Sequence, residues 1–472
     1  MSTMSIRSLT LGLLLGMLLT VSARAAGQNV VLFVTDDQSP DAGCYGNAAI
    51  KTPNMDRLAA DGTRLDFAFC TTASCSASRS VILTGLFNHA NAQYGHEHSY
   101  HHFRTYDNVK SLPVLLGAAG YRTARIGKYH VGPEAVYHFD RFLPGNARSP
   151  VAMAENCREF INADDSKPFF LYFCTADPHR SGDQVDSVPE KPNAFGNRPQ
   201  GYPGVTPVHY DPQDVIVPPF LPDTPACRAE LAQYYESVSR VDQGLGRLVE
   251  ILQKAGKYDD TMILFISDHG MAFPGAKTNV YEPGLRSPCI VRRPKQRERG
   301  GASKAMVSWI DITPTILDFA GALDEKHKFH GRSFLRAIDE QQPAGWDEIY
   351  ASHTFHEITM YYPMRVVRTR RHKLIWNLAH PLPFPFASDL WAAPTWQDVY
   401  RRGTDAFYGP RTVQAYLQRP QFELFDLESD PHEAKNLAGD PEYAELLAEL
   451  KGQLKAFQKR TSDPWLLKWD YE

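Results

Sequence analysis

The chain has little of three things, and each shortage excludes something. After its first residues, no apolar run approaches the roughly 20 residues a membrane-spanning helix needs, so stable membrane insertion is not expected. No charge sign dominates: 50 Lys and Arg face 54 Asp and Glu, a formal net charge of -4 over 472 residues. That balance disfavours a nucleic-acid partner but leaves room for a local basic pocket. Cysteine is sparse, with seven residues (Cys44, Cys70, Cys75, Cys157, Cys174, Cys227 and Cys289) and no Cys-x-x-Cys pair. This is neither a disulfide framework nor a zinc ribbon, and the odd count leaves at least one cysteine unpaired in a monomer. Internal repeats and low-complexity tracts are also missing. At 43% hydrophobic and 22% charged residues, the composition is that of a globular protein long enough for two domains.

The first residues are the exception. Arg7 precedes an apolar core over residues 9–19, and Ala23, Ala25 and Ala26 offer small-residue cleavage positions. This pattern predicts a secretory signal over 1–26 and an exported mature chain, in a periplasmic, extracellular or degradative compartment. A composition shift over 341–346 divides the remainder into 27–345 and a smaller part, 346–472.

Apolar, β-branched runs punctuate the larger part. Strands are expected over 29–35, 121–127, 168–174, 261–267 and 289–291, in an α/β fold with a largely parallel sheet. Helices are expected from Thr52 and Pro53 to about Ala60, with Thr52 as cap, and over 111–119 and 228–255, with another from Thr313. Residues 181–224, rich in Pro, Gly and Asn, read as a long surface excursion. The basic run from Arg292 to Arg299 reads as a solvated loop. In the smaller part, strands over 364–375 and 422–427 and a helix over 443–455 predict a small antiparallel sheet with a covering helix.

The strands end in chemistry. One finishes at Asp36-Asp37, a second delivers Lys128 and His130, a third leads to His179, and a fourth ends at Asp268-His269, with Lys277 shortly beyond. Each could be a solvated turn, but together they place acids, bases and cations where open α/β sheets bind ligands. Asp36, Asp37 and Asp268 are hard oxygen donors. With His269 they suit one calcium ion, magnesium being the stricter alternative. Arg79, Lys128, His130, His179 and Lys277 form the complementary set for an anionic tetrahedral group. Sulfuryl and phosphoryl transfer both fit.

One stretch lies apart from these strand ends. Residues 71–85 set Cys75 among small polar residues, with Arg79 four positions on. If a helix starts here, Cys75 lies in its first turn and Arg79 one turn further on the same side. A serine-rich turn over a buried thiol is the alternative.

These motifs resemble the type I sulfatases of the alkaline-phosphatase superfamily, whose Cys-x-Pro/Ala-x-Arg motif is here Cys75-Ser-Ala-Ser-Arg79, followed by Thr84-Gly85. Asp36-Asp37, Gly127-Lys128-Tyr-His130 and Ser267-Asp268-His269-Gly270 match further motifs. Within the family the chain is most similar to the sulfamidase (heparan N-sulfatase) branch, through stretches such as Asp177-Pro-His-Arg180 and Asp430-Pro-His-Glu433. Ala77, His269 and Lys277 depart from that branch, which carries proline, asparagine and arginine there.

The resemblance implies an alkaline-phosphatase-like fold, with a large mixed sheet flanked by helices and a smaller C-terminal antiparallel sheet. It implies oxidation of Cys75 to formylglycine by a maturation enzyme, and calcium held by Asp36, Asp37, residue 75, Asp268 and His269. Its expected catalytic set is Cys75, Arg79, Lys128, His130, His179 and Lys277. The implied reaction is exo-acting removal of the N-sulfate of glucosamine from heparin- or heparan-sulfate-derived saccharides, through a formylglycine-sulfate intermediate. A carbohydrate O-sulfatase, a phosphodiesterase of the superfamily and a noncatalytic secreted glycan-binding protein are the alternatives. His98, His356, Glu357 and Arg365 are expected saccharide contacts, with packing between domains as their other reading. A homodimer is compatible with the resemblance.

Overall fold

The computed structural model describes residues 28–163, 166–180, 195–296 and 298–471. The expected signal segment, and 181–194 of the surface excursion, lie outside the described residues. The rest of that excursion, 195–224, contains only turns and irregular chain.

An eight-stranded sheet organises the larger part, in the order Gly301–Ser308, Thr63–Phe69, Cys289–Arg292, Thr261–Ser267, Asn29–Thr35, Phe169–Cys174, Arg122–Gly127 and Arg141–Leu143. The sheet is mixed rather than largely parallel, because Cys289–Arg292 runs antiparallel to both neighbours. The three central strands are buried along their whole length. Helices cover the sheet, so these strands read as unbroken apolar runs rather than alternating ones. The helix Pro225–Lys254 packs with Pro53–Ala60 and Pro150–Asn156, and Cys75–Thr84 packs with Leu112–Ala118 and Ile312–Phe319.

A second, four-stranded antiparallel sheet takes the order Glu348–His353, Met364–Thr369, His372–Asn377, Phe422–Asp426, and the helix Ala444–Arg460 packs against it. The apolar core is continuous across both sheets. Among the described residues, no helix is long and apolar enough to cross a membrane.

Three local expectations change. Residues 364–375 form a hairpin, not one strand, because the Thr369 hydroxyl closes a turn by accepting from His372 N at 3.0 Å. Thr52 does not cap its helix. Its hydroxyl accepts from Gly43 N, and Asp242 on the long helix takes Asn54 N and Met55 N instead, at 3.0 and 2.8 Å. Arg292 is not in a solvated loop. It ends a strand, is buried, and donates to the Tyr258 and Thr261 carbonyls.

Candidate active site

The central strands deliver their last residues to one point. Asp268 N donates to Thr35 O, and Asp37 N donates to the Asp268 carboxylate at 3.0 Å, so the neighbouring strands Asn29–Thr35 and Thr261–Ser267 lock their two acidic ends together. Next door, Gly127 has φ +84, and a Cβ there would sit 1.9 Å from Cys174 O. Only glycine permits the turn that brings Lys128 to this point.

Facing these ends is the helix Cys75–Thr84, every residue of which is buried. Its serines are internally satisfied: Ser78 Oγ donates to Asp268 O and Ser80 Oγ to Ala77 O, at 2.5 and 2.7 Å. That allows a polar helix start to sit inside the molecule. Cys75 opens the helix and Arg79 follows one turn later. Arg79 donates to Asp36 Oδ1 at 3.1 Å and to Asp268 Oδ2 at 3.0 Å. Cys75 Sγ lies 3.6 Å from Asp37 Oδ1 and 3.4 Å from His269 Nε2.

Two lysines complete the centre. Lys128 Nζ is 2.5 Å from Asp36 Oδ2. Lys277 Nζ is 3.0 Å from Asp37 Oδ2, 3.0 Å from His179 Nε2 and 2.8 Å from Asp389 Oδ2. His179 is held from both sides. Asp177 pairs with Arg148 and Arg240 at 2.6 and 2.7 Å, Arg180 pairs with Glu230, and His179 Nδ1 donates to Arg180 O. Such support fixes a functional ring better than a loop alone. Lys128 and His179 keep 17% and 25% of their side chains exposed and form the open side of the centre.

The electrostatics are unbalanced. Four carboxylates (Asp36, Asp37, Asp268, Asp389) meet three permanent cations (Arg79, Lys128, Lys277). Burial pushes Asp36 up, but Lys128, His179 and Arg79 outweigh it and hold it well below the usual range. The strain falls on Asp268: burial, with Asp36 and Asp37 adding to it against Arg79, raises it to about 6. A divalent cation would relieve that excess. His269 fits the same demand, because its Nδ1 donates to Gly270 O and so leaves the Nε2 lone pair, 3.1 Å from Asp37 Oδ1, free to bind metal. Donor atoms of Asp37, Cys75, Asp268 and His269 lie within 4.8 Å of one another. With a divalent cation the centre would carry one net positive charge, which a singly charged anion would cancel.

Cys75 itself is not an activated thiol. Burial, reinforced by Asp37 and Asp36, raises it well above its ordinary value against the pull of Lys128. The thiolate that a cysteine nucleophile requires is therefore disfavoured.

The remaining expected residues are less uniform. His130 stacks on His96 and His98 with ring centroids 4.8 and 4.6 Å apart, and neither of its ring nitrogens has a hydrogen-bond partner among the described residues. His98 is exposed at the rim. Glu357 is half-buried, its Oε1 accepting from Ser388 N and Oγ at 2.9 and 2.8 Å. His356 is not presented outward: it is 2% exposed, with Nδ1 2.9 Å from Ser74 Oγ and Nε2 2.9 Å from His96 Nε2, so it braces the helix start behind Cys75. Arg365 is a correction. It is 1% exposed, paired through two nitrogens with Asp463, and lies over the Trp465 ring, so it is committed to packing and not to a saccharide. Asp389 was missed. A lone aspartate in a short stretch rich in proline and aromatics has no spacing that ties it to Lys277. A cleft of about 1260 Å³ between Arg57, Glu155 and Arg247 shares no residue with this centre.

The model of the Sulfatase family matches residues 28–322, and the C-terminal model of N-sulphoglucosamine sulphohydrolase matches residues 270–384. The chain belongs to the sulfatase family. It is 42% identical over 466 residues to N-sulphoglucosamine sulphohydrolase of Homo sapiens, covering 94% of this chain and 92% of that one. An ulvan-active sulfatase of Formosa agariphila is 27% identical over 94% of this chain and 82% of its own. The solved structure of BT4656 with its substrate D-glucosamine-2-N,6-O-disulfate shares the fold, with TM-score 0.68 at 22% identity over 93% of this chain and 99% of that one.

Proposed function

We propose that this chain is an exported, formylglycine-dependent sulfamidase that hydrolyses the N-sulfate of a terminal glucosamine in heparin- or heparan-sulfate-derived saccharides and releases inorganic sulfate. The observation that carries the reading is its 42% identity with human N-sulphoglucosamine sulphohydrolase over 466 residues, a match that covers 94% of this chain. A maturation enzyme oxidises Cys75, and the Sγ position stands in for the reacting oxygen. The hydrated aldehyde supplies two hydroxyls on one carbon, one to attack sulfur and one whose deprotonation expels sulfate. Asp36, Asp37, Asp268 and His269 would hold a calcium ion, or alternatively magnesium, which would supply positive charge at the sulfate-binding position.

The chain's own groups do the rest. Arg79 keeps the acidic strand ends and the residue-75 helix in register. Lys128 and Lys277 neutralise sulfate oxygens and the charge that develops on them. His179 sits at about 4 without substrate, through burial and Lys277. An arriving sulfate anion favours its charged form, and its Nε2 then donates to the departing nitrogen. His130, with both nitrogens free of partners, serves as the base at residue 75.

The test is sulfate release by matured protein from glucosamine N-sulfate and glucosamine 6-O-sulfate. The N-sulfate is expected to be the better substrate. Faster cleavage of the O-sulfate would reject this specificity.

A further inference from the structure

We propose that Asp389 is the group that recognises the bridging nitrogen of an N-sulfate and discriminates against O-sulfates; the inference rests on the sulfamidase reading above. Asp389 lies in the short helix Ser388–Trp391 and reaches the sulfate centre from outside the large sheet. Its Oδ2 accepts from Lys277 Nζ at 2.8 Å, and the same ammonium lies 3.0 Å from His179 Nε2. Asp389 and the proton donor for the leaving group are thus neighbours across a single ammonium. The second oxygen, Oδ1, is buried and has no hydrogen-bond partner among the described residues. A buried carboxylate oxygen without a donor is unfavourable, and a ligand that brings one gains the difference. The side chain as a whole is 17% exposed, so it is not sealed from an arriving sugar. Ser388, the preceding residue, is pinned by Glu357 through both its N–H and its hydroxyl, which holds the helix against the rim.

The two substrate classes differ at the atom His179 protonates. A sulfamate, R–NH–SO3−, presents an N–H at the bridging position. A sulfate ester, R–O–SO3−, presents only lone pairs. The Asp389 carboxylate accepts the first and repels the second. In the reaction the S–N bond breaks with its electron pair left on nitrogen, a proton arrives from His179 Nε2, and sulfur gains a bond to the oxygen at residue 75. The C–O bond at residue 75 then breaks as the second hydroxyl loses its proton, sulfate leaves with that oxygen, and water rehydrates the aldehyde. The net change is R–NH–SO3− plus water to R–NH3+ plus SO4 2−. The ammonium product is a cation that Asp389 stabilises, whereas an alcohol product gains nothing from it.

The experiment compares matured full-length wild type with D389N and D389E on glucosamine N-sulfate and glucosamine 6-O-sulfate. Thermal midpoints with and without added glucosamine are a second readout. In D389N, kcat/KM for the N-sulfate is expected to fall ~10- to 100-fold more than kcat/KM for the O-sulfate, as for loss of a hydrogen bond to a charged group. Glucosamine is expected to raise the midpoint of wild type but not of D389N, and D389E is expected to keep the preference for the N-sulfate. Equal losses on both substrates, or glucosamine stabilisation retained in D389N, would overturn the proposal and reduce Asp389 to a partner of Lys277. A wild type that prefers the O-sulfate would overturn the sulfamidase reading as well. A wild type that prefers the N-sulfate with an unchanged ratio in D389N would remove only the role of Asp389. If D389N does not fold, D389E decides: a retained N-sulfate preference together with retained stabilisation by glucosamine supports the proposal, and loss of either overturns it.

Discussion

The buried ion pairs in and around the smaller part and the cluster at the strand ends are built to opposite rules. In and around the smaller part, Arg365 pairs with Asp463, Arg368 with Glu282, and Lys373 with both Glu282 and Glu433. Every charge there meets its opposite within the protein. At the strand ends around Cys75, four carboxylates meet three cations, and His130 lacks any hydrogen-bond partner among the described residues. The contrast shows in two aspartates. Burial would raise Asp463, but Arg365 outweighs it and holds it at about 2, whereas burial and its acidic neighbours raise Asp268 to about 6. A balanced cluster is a structural joint. An unbalanced one calls for completion from outside, which is the role proposed above for a cation and an anionic substrate.

Substitutions can break that contrast. The largest effect is expected from C75A, which removes the reacting group: sulfate release by matured protein should fall by about 10⁴-fold or more while the thermal midpoint stays near that of wild type. Next, R365A leaves Asp463 buried and unpaired and should destabilise by about 3–5 kcal/mol in denaturant titrations, with KM unchanged. The two aspartates should then respond to pH with opposite signs. In metal-free protein the native state keeps the Asp268 proton to a higher pH than the unfolded chain does. Stability should therefore drop by up to ~3 kcal/mol as pH rises from about 4 to 6, a slope that D268N removes and bound metal reverses. For Asp463 the native pKa is depressed, so its stabilisation of ~2 kcal/mol is complete above about pH 4 and disappears as pH falls toward 2. D463N, measured against wild type over that range, isolates it. Finally, calcium at 100 times its dissociation constant should stabilise the chelated protein by about 2.7 kcal/mol, and D268N should not respond.

Much of the site was legible from strand ends. The runs closing at Asp36-Asp37, Lys128, His179 and Asp268-His269 do converge, because parallel neighbours end on one edge of the sheet. The helix beginning at Cys75 and carrying Arg79 was readable from their spacing. Less legible was anything set by long-range partners. Thr52 has the right chemistry for a cap, but Asp242, remote in sequence, takes the role. Arg365 looks like an anion contact until Asp463, also remote in sequence, claims both its nitrogens. Asp389 carries no local pattern, and its role exists only because the second part of the chain folds over Lys277. The strand Thr63–Phe69 was missed because its alternating Arg64 and Asp66 break the apolar run, and Arg64 pairs with Asp66 at 2.8 Å near the sheet surface.

The account stands on the identity of residue 75 in active protein. Mass analysis of the peptide spanning Cys75, from protein that releases sulfate, tests it directly. The expected result is a peptide carrying an aldehyde in place of the thiol, in proportion to specific activity. Full activity from protein in which residue 75 is entirely unmodified cysteine would contradict the account.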